Sequence, residues 1–306
     1  MKVGLLLLPF DREVERLRGV LAMMADAGLD HVGTGDHVSF WVGVGRDGLV
    51  DATALALLHP SLPVYVAVYQ LPLRHPLPVA RQLSTLSELA PGRLTFGVGI
   101  GGEDRREVAN CGVDPATRGR RMDESLLVLR RLLAGEQVTH RGEFYDLDGA
   151  LVLPAPDPAV PLVVGGRSDA AVRRAARFGD GWLGIWNSPK RFGTVVAMVD
   201  ELAGAAGRQG VAWRHGMQVW CGLGRSREEA LARLAPAMEA VYQIPFERFE
   251  RYSPAGTPAE VAAFLAPYAE AGCRSFNLIP CAASTEAAVD GAAEVKALLG
   301  GVTAPA

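Results

Sequence analysis

The segment Thr34-Gly-Asp-His-Val-Ser-Phe-Trp41 places a histidine, a carboxylate and two aromatic rings directly after a short apolar run. Imidazole is the side chain whose charge changes most readily near neutral pH, so His37 is a candidate catalytic acid or base. Asp36 could orient His37 or simply cap the loop, and Trp41 could wall a pocket. Because a lone histidine is more often structural, the segment by itself leaves both interpretations open.

A first glycine-rich segment, Gly97-Val-Gly-Ile-Gly-Gly102, has the spacing of a dinucleotide-binding loop. Three strand-like runs precede it, however, and charged residues follow it, whereas that motif belongs to a first strand that leads straight into a helix. We favour a strand end at which a flat ligand lies against the bare backbone of Gly99 and Gly101. A bulge or a tight turn is the alternative.

A second glycine pair ends another predicted strand and precedes a predicted helix. Gly165 and Gly166 are followed by Arg167, which adds a positive charge, and by Ser168, which can cap the helix. Free N–H groups at the start of a helix attract phosphate, so this junction is a candidate phosphate site. An ordinary capped junction fits the same residues.

The elements that must position these residues alternate between strand and helix. Eight β-rich apolar runs are predicted at Val3–Leu8, Asp30–Thr34, Pro63–Val68, Leu94–Val98, Leu162–Val164, Trp182–Ile185, Met217–Leu223 and Ser275–Ile279. Helical patterns fill most of the gaps, and some end in glycine, as at Gly28 and Gly272. Such alternation indicates a parallel sheet, and eight units can close. We predict one (β/α)₈ TIM-barrel domain over residues 1–306, with an open doubly wound sheet as the alternative.

Composition narrows the possible partners. With 49% hydrophobic residues and a net charge of −3, the chain can bury a large core and has no long-range attraction for nucleic acid or an anionic membrane, so a small-molecule substrate is expected. The first apolar run is too short for a signal peptide or a membrane span. The four cysteines and six histidines show no disulfide or metal-site spacing, so we expect a cytoplasmic protein without a metal.

Several motifs, taken together and in order, resemble the luciferase-like superfamily, and most closely its branch that uses the deazaflavin coenzyme F420. The resemblance spans nearly the whole chain. The matching segments are Gly35-Asp-His37, Pro72-Leu-Arg-His-Pro76, Leu86 to Gly101, Arg120-Arg-Met-Asp-Glu124, Gly142-Glu-Phe-Tyr145, Pro161-Leu-Val-Val-Gly-Gly166 and Gly179-Asp-Gly-Trp182.

This resemblance implies an oxidoreductase that transfers a hydride between coenzyme F420 and a small organic substrate, with His37, Trp41 and Asp36 at the reacting atoms. It implies a cofactor phosphate near residues 165–168 and a cis peptide bond at Val68–Tyr69 behind the cofactor ring. Family members often form homodimers. An FMN-dependent monooxygenase of the same fold is the first alternative, and a flavin- or deazaflavin-binding protein without turnover is the second.

The same resemblance leaves sugar-phosphate oxidation in doubt. The deazaflavin-dependent sugar-phosphate dehydrogenases carry a glutamate directly after the glycines of strand four. This chain has Gly102 at that position and Glu103 one residue later.

Overall fold

The computed structural model describes residues 1–6, 13–102 and 104–300, and its centre is a closed ring of parallel strands. The strands are β1 (Lys2–Leu6), β2 (His31–Thr34), β3 (Val64–Gln70), β4 (Leu94–Gly99), β5 (Val138–Arg141), β6 (Asp146–Ala150), β7 (Leu162–Gly165), β8 (Gly181–Ile185), β9 (Gly216–Leu223), β10 (Ala255–Gly256) and β11 (Ser275–Cys281). Neighbours around the ring run β1-β2-β3-β4-β7-β8-β9-β11, and β11 pairs with β1. The β8–β9 pairing closes the sheet, so the open-sheet alternative is wrong and the TIM barrel is confirmed.

Helices connect these strands and surround them. They are α1 (Val14–Asp26), α2 (Gly48–Leu58), α3 (Pro76–Leu89), α4 (Arg105–Asn110), α5 (Arg118–Leu133), α6 (Asp169–Phe178), α7 (Pro189–Ala205), α8 (Arg227–Tyr242), α9 (Pro258–Glu270) and α10 (Thr285–Leu299). The predicted caps are present: Ser168 accepts a hydrogen bond from the Ala171 N–H, and Gly28 and Gly272 have φ of +73° and +100°. In the part of the chain that the structure describes, no helix is both long and apolar enough to cross a membrane.

The sequence prediction gave all eight barrel strands but missed two helices. Both α2 and α4 fall in gaps where no helix was predicted. The sequence of α2, Gly-Leu-Val-Asp-Ala-Thr-Ala-Leu-Ala-Leu-Leu, is apolar nearly all round, so it lacks the periodicity that identifies a surface helix. The helix α4 has only six residues, too few to show a period. The last two residues of the first predicted strand, 7 and 8, lie outside the described residues.

Two apolar clusters stabilise the barrel. The larger one lies between the strands and the surrounding helices and includes Phe96, Trp182 and Phe276. The smaller one, which we call the mouth cluster, joins inward-facing strand residues to α8 and to the short 3₁₀ turns after it. Its buried members are Leu6, Tyr65, Ala67, Val163, Leu183, Trp220, Ala230, Leu234, Met238, Phe246, Phe249, Ala255, Ile279 and Cys281. Because α8 packs on inward-facing residues, it covers part of the carboxyl-terminal end of the barrel.

The hairpin formed by β5 and β6 is fixed to the outside of the barrel by Glu124 of α5. The Glu124 carboxylate accepts hydrogen bonds from the backbone N–H groups of Phe144 (3.1 Å) and Tyr145 (2.9 Å) and lies 3.0 Å from His140 Nε2. A Cβ at Gly142 would collide with this carboxylate. The motifs around Arg120–Glu124 and Gly142–Tyr145 therefore have a structural explanation.

Candidate active site at the carboxyl-terminal end of the barrel

The predicted site residues come together at one end of the barrel. His37 follows β2, Gly101 follows β4, Gly166 follows β7 and Trp186 follows β8. Since all barrel strands are parallel, their carboxyl ends share one rim, and this is the end where TIM barrels carry their active sites. His37 and the Gly165–Ser168 segment thus lie on the same rim, as the sequence prediction requires.

His37 forms a pair with Glu107, a residue that sequence reasoning did not single out. His37 Nδ1 lies 3.0 Å from Glu107 Oε2, while Oε1 accepts hydrogen bonds from the N–H groups of Val38 (2.6 Å) and Ser39 (3.0 Å). Burial acts to raise the pKa of Glu107, but the contacts with His37, Ser39 and Gln70 outweigh it and lower that pKa to about 2. Glu107 is therefore an ionised carboxylate, and it fixes both the His37 ring and the loop beside it.

Asp36 contacts Arg74 rather than His37. The Asp36 carboxylate receives two bonds from the Arg74 guanidinium, at 2.6 and 2.8 Å, and one each from the N–H groups of Gly48 and Gln70, at 2.9 and 2.8 Å. Burial raises the pKa of Asp36, while Arg74 and the two backbone N–H groups act to lower it. With four donors around it, Asp36 accepts hydrogen bonds that tie the loop after β2 to the end of β3. Of the two roles left open for Asp36, the loop-fixing one agrees with these contacts.

Aromatic rings line the rim beside His37. Phe40 stacks on His37 with ring centroids 4.1 Å apart, and Trp41 stacks on Phe40 at 4.5 Å. The Trp41 indole N–H donates to the Val241 carbonyl of α8 at 2.9 Å, which links the loop after β2 to the helix over the mouth. On the opposite side Trp186 packs against Phe249, and its buried Nε1 has no partner among the described residues.

The strand β3 is irregular where it meets the rim. Its register with β4 shifts between Val66 and Tyr69, and the cis peptide bond joins Ala67 to Val68. The prediction of a cis bond at Val68–Tyr69 is therefore wrong by one residue. Side-chain direction gives the reason. Ala67 and Val68 both face the mouth cluster, so the alternation of the strand is broken between them. Tyr69 points to the helix side of the strand, where it packs on Phe96.

The glycines around Val68 allow close backbone packing. A Cβ at Gly99 would lie 2.6 Å from Val68 Cγ2, and one at Gly165 would lie 3.0 Å from Val68 Cγ1. At Gly101, where φ is +65°, a Cβ would collide with Gln70. Gly99 on β4 and Gly165 on β7 thus leave room for the half-buried Val68 to lie over both strands. Val68 and these two glycines form the rim here, which we call the Val68 surface. Tyr69, in contrast, is 1% exposed, so its ring does not line the rim.

The junction between β7 and α6 has the features of an anion site. Gly166 has φ of +132°, and its carbonyl accepts a bond from the Trp182 indole N–H at 2.7 Å. Ser168 caps α6, whose first N–H groups have no acceptor within the helix. The Arg167 guanidinium lies 5.3 Å from the centre of the Trp186 ring, at the edge of the same rim.

A planar ring with a phosphate-bearing tail fits this arrangement. The Val68 surface offers an apolar face for a ring, and the start of α6 offers N–H groups for a phosphate. The aromatic rings at the mouth supply apolar walls, and the His37 ring, which is paired with Glu107, packs against Phe40. This mixture of apolar walls and a few placed polar groups is typical of a cofactor site.

The comparison with known protein families agrees with this geometry. The sequence profile described as luciferase-like monooxygenase matches residues 1–252. The chain belongs to the luciferase-like monooxygenase family.

Individual relatives cover the chain in different ways. An F420-dependent glucose-6-phosphate dehydrogenase of Beutenbergia cavernae is 37% identical over 169 residues, which is 51% of this chain and 48% of the relative. The chain thus spans about half the length of the curated relatives it matches.

Two solved structures share the fold. An F420-dependent secondary alcohol dehydrogenase, solved with an F420–acetone adduct, has a TM-score of 0.84 at 21% identity and covers 97% of this chain and 98% of its own. A monooxygenase from Streptomyces bottropensis has a TM-score of 0.81 at 22% identity, with the same coverage.

Sequence reasoning missed three residues of the site, namely Glu107, Gln70 and Arg74. Arg74 lies within the Pro72–Pro76 motif, so its importance was visible although its partner Asp36 was not. Glu107 is 70 residues from His37 in sequence, and no local pattern connects them. The acidic residue that sequence reasoning did consider after the glycines, Glu103, lies outside the described residues.

Proposed function

We propose that this chain is an oxidoreductase that uses coenzyme F420 and a small organic substrate, and that FMN is the alternative cofactor. The observation that carries the proposal is the His37–Glu107 pair on the same rim as the Val68 surface and the start of α6. The deazaflavin, when bound, would supply a carbon that accepts or returns a hydride. The F420-dependent relatives and neighbours named above support this choice of cofactor.

Residues of the chain would bind the cofactor phosphate, support the cofactor ring and transfer a proton. The N–H groups at the start of α6, together with Gly166, Arg167 and Ser168, would hold the cofactor phosphate. Val68 and the glycines Gly99, Gly101 and Gly165 would support the ring, Tyr69 contributing only through its backbone. His37 would take up or give back the proton of the reacting substrate group.

The aromatic residues would keep water out of the reacting centre. Trp41 and Phe40 lie beside His37, and Trp186 lies across the mouth. A dry site strengthens the polar contacts inside it, so these rings would increase the effect of the His37 imidazole. Asp36 would act indirectly, by holding the loop that carries His37 and Trp41.

Side-by-side equilibrium titration of the purified apoprotein with F420 and with FMN tests the cofactor. We expect micromolar binding of F420, followed by its absorbance change, and binding of FMN that is at least tenfold weaker. Tighter binding of FMN would replace the proposal by the monooxygenase alternative. If His37→Ala leaves every turnover rate unchanged, the chain is instead a binding protein without catalysis.

The proposed phosphate contact can be tested by a matched pair of variants. Gly166→Val places a side chain at φ of +132°, where a Cβ would lie 2.8 Å from the Ala171 Cβ, so we expect cofactor affinity to fall at least tenfold. Gly102→Ala is the control, because its Cβ would approach only Arg118, at 3.6 Å. Equal F420 affinities in the two variants would show that the phosphate binds elsewhere on the protein.

The identity of the substrate and the homodimer remain predictions. Light scattering of the purified protein would measure the oligomeric state.

A further inference from the structure

The contacts of His37 indicate which of its two ring nitrogens faces a donor and which faces an acceptor. Gln70 Nε2 lies 3.3 Å from His37 Nδ1, but its two hydrogens are already directed to the Asp36 carbonyl (3.0 Å) and to Glu107 Oε2 (3.1 Å). Gln70 therefore has no hydrogen left for Nδ1. The remaining partner of Nδ1 is the Glu107 carboxylate at 3.0 Å, which can only accept.

The surroundings of the pair leave Glu107 as the carboxylate that acts on His37. Asp36 is saturated by Arg74 and by two backbone N–H groups. The Glu107 side chain is 2% exposed, whereas 34% of the His37 side chain is exposed, so the imidazole reaches from a buried anion toward the mouth. A carboxylate that holds the Nδ1–H of a histidine leaves the other ring nitrogen as an acceptor.

We propose that Glu107 is a positioning residue that keeps the proton of neutral His37 on Nδ1 and so presents Nε2 as a proton acceptor to the substrate. This inference deepens the proposed function and rests on it. A site that offers an acceptor suits a substrate that brings a proton, which means a hydroxyl compound oxidised to a carbonyl compound. In that reaction the C–H hydride leaves with two electrons to the oxidised cofactor, the O–H proton goes to Nε2, and the C=O bond forms.

The substitution Glu107→Gln separates positioning from loop support. The Oε1 of the new side chain can still accept the N–H groups of Val38 and Ser39, while an NH₂ group replaces the oxygen that faces His37. The replaced oxygen is also the acceptor of a Gln70 hydrogen, so the new NH₂ group and the released Gln70 N–H both face Nδ1. Nδ1 then becomes an acceptor, and Nε2 carries the proton. The variant therefore keeps the hydrogen bonds to the loop after β2 and reverses the tautomer of His37.

The direct readout is ¹⁵N NMR of the histidine side chains at a pH where they are neutral, with the His37 signals identified by their loss in His37→Gln. We expect Nδ1–H in the wild type and Nε2–H in Glu107→Gln, in the apoprotein. Glu107→Asp, which keeps the charge, should restore the wild-type tautomer. A wild type with Nε2–H, or a Glu107→Gln variant with an unchanged tautomer, would overturn the inference.

Kinetics give the second readout. With oxidised F420 and a panel of small alcohols, Glu107→Gln should lower kcat by about 10²-fold or more, with KM and F420 affinity within about threefold. Equal turnover in wild type and variant would overturn the positioning role. The matched control is Glu124→Gln, which changes a second, partly buried glutamate–histidine contact away from the rim and should leave kcat unchanged. If the tautomers behave as expected but F420 does not bind, the proposed function fails and the positioning of His37 stands.

Discussion

Two glutamate–histidine pairs occupy different parts of this barrel with nearly the same local geometry. Glu107 lies 3.0 Å from His37 at the rim, and Glu124 lies 3.0 Å from His140 beside the outer hairpin. Each glutamate also accepts two backbone N–H groups. The histidines differ in exposure, since the side chain of His37 is 34% exposed and that of His140 is 15% exposed.

The difference shows that position rather than chemistry separates a functional pair from a structural one. The Glu124 pair holds a hairpin against α5, and its motif residues serve packing. The Glu107 pair has a similar set of bonds, although it contacts Nδ1 where Glu124 contacts Nε2, and its imidazole lies on the rim next to aromatic walls and the Val68 surface. A motif of the family can therefore be a fold element or a site element, and only its place on the barrel decides which.

Replacing each histidine by alanine should give the largest contrast. His37→Ala is expected to lower turnover by about 10²- to 10⁴-fold, the usual contribution of a general acid or base, while F420 binds within a few-fold of wild type. His140→Ala should leave turnover within about twofold. Steady-state kinetics with F420 measures both, and equal losses in the two variants would remove the distinction between the pairs.

For stability the order should be the reverse of that for turnover: removing Glu124 should destabilise the protein more than changing Glu107 does. Glu124→Ala leaves the N–H groups of Phe144 and Tyr145 without their acceptor, so we expect the free energy of unfolding to fall by about 3 kcal/mol. Urea unfolding measures this change. Glu107→Gln should lower the free energy of unfolding by about 1 to 2 kcal/mol, because Gln70 loses one acceptor while the N–H groups of Val38 and Ser39 keep theirs. A larger loss in Glu107→Gln than in Glu124→Ala would contradict the comparison.

His31 and His215 have no hydrogen-bonded carboxylate, and they extend the comparison to the pH dependence of stability. Burial lowers the pKa of His31 and of His215 to about 4, although the Asn277 hydrogen bond opposes this for His31. The unfolded chain, with a histidine pKa near 6.5, binds protons that the folded chain does not, so stability is constant above about pH 7 and falls as the pH drops toward 4.

The expected loss is about 2 kcal/mol for each of these two histidines between pH 7 and pH 5, measured by denaturant unfolding at a series of pH values. His215→Asn keeps an acceptor for the Trp182 N–H and should reduce the slope by about half. A slope that is the same in His215→Asn would assign the acid sensitivity to other groups.

The smallest effect is expected where the rim meets the helix over the mouth. Trp41→Phe keeps a ring beside Phe40 but loses the 2.9 Å bond to the Val241 carbonyl. One neutral hydrogen bond contributes about 1 kcal/mol, so we expect a rise in KM of about fivefold with kcat nearly unchanged. A drop in kcat comparable to that of His37→Ala would instead place Trp41 at the reacting atoms.

Much of the fold could be predicted from the sequence because its signals are local. The eight strands are short apolar runs, and residues such as Ser168 and Gly28 mark helix ends through their own conformational preferences. The helix α2 was missed because its apolar residues cover all its faces. The location of the irregular bond in β3 depends on its register with β4, which no single-strand pattern shows.

The site was predictable only in part, because only some of its residues are marked by local sequence signals. His37 and the glycine pair at residues 165 and 166 lie at strand ends, and strand ends meet at one rim in any such barrel. The partners of His37 and Asp36, in contrast, come from distant parts of the chain, Glu107 from α4 and Arg74 from the turn after β3. Side-chain pairing at that range is decided by the three-dimensional fold.

A crystal structure of the protein with F420 tests the central claim most directly. We expect the ring to lie against the Val68 surface, the phosphate to be held by N–H groups of residues 166–170, and His37 Nε2 to face the ring. A cofactor bound away from this rim, or His37 turned so that Nε2 rather than Nδ1 contacts Glu107, would contradict the account.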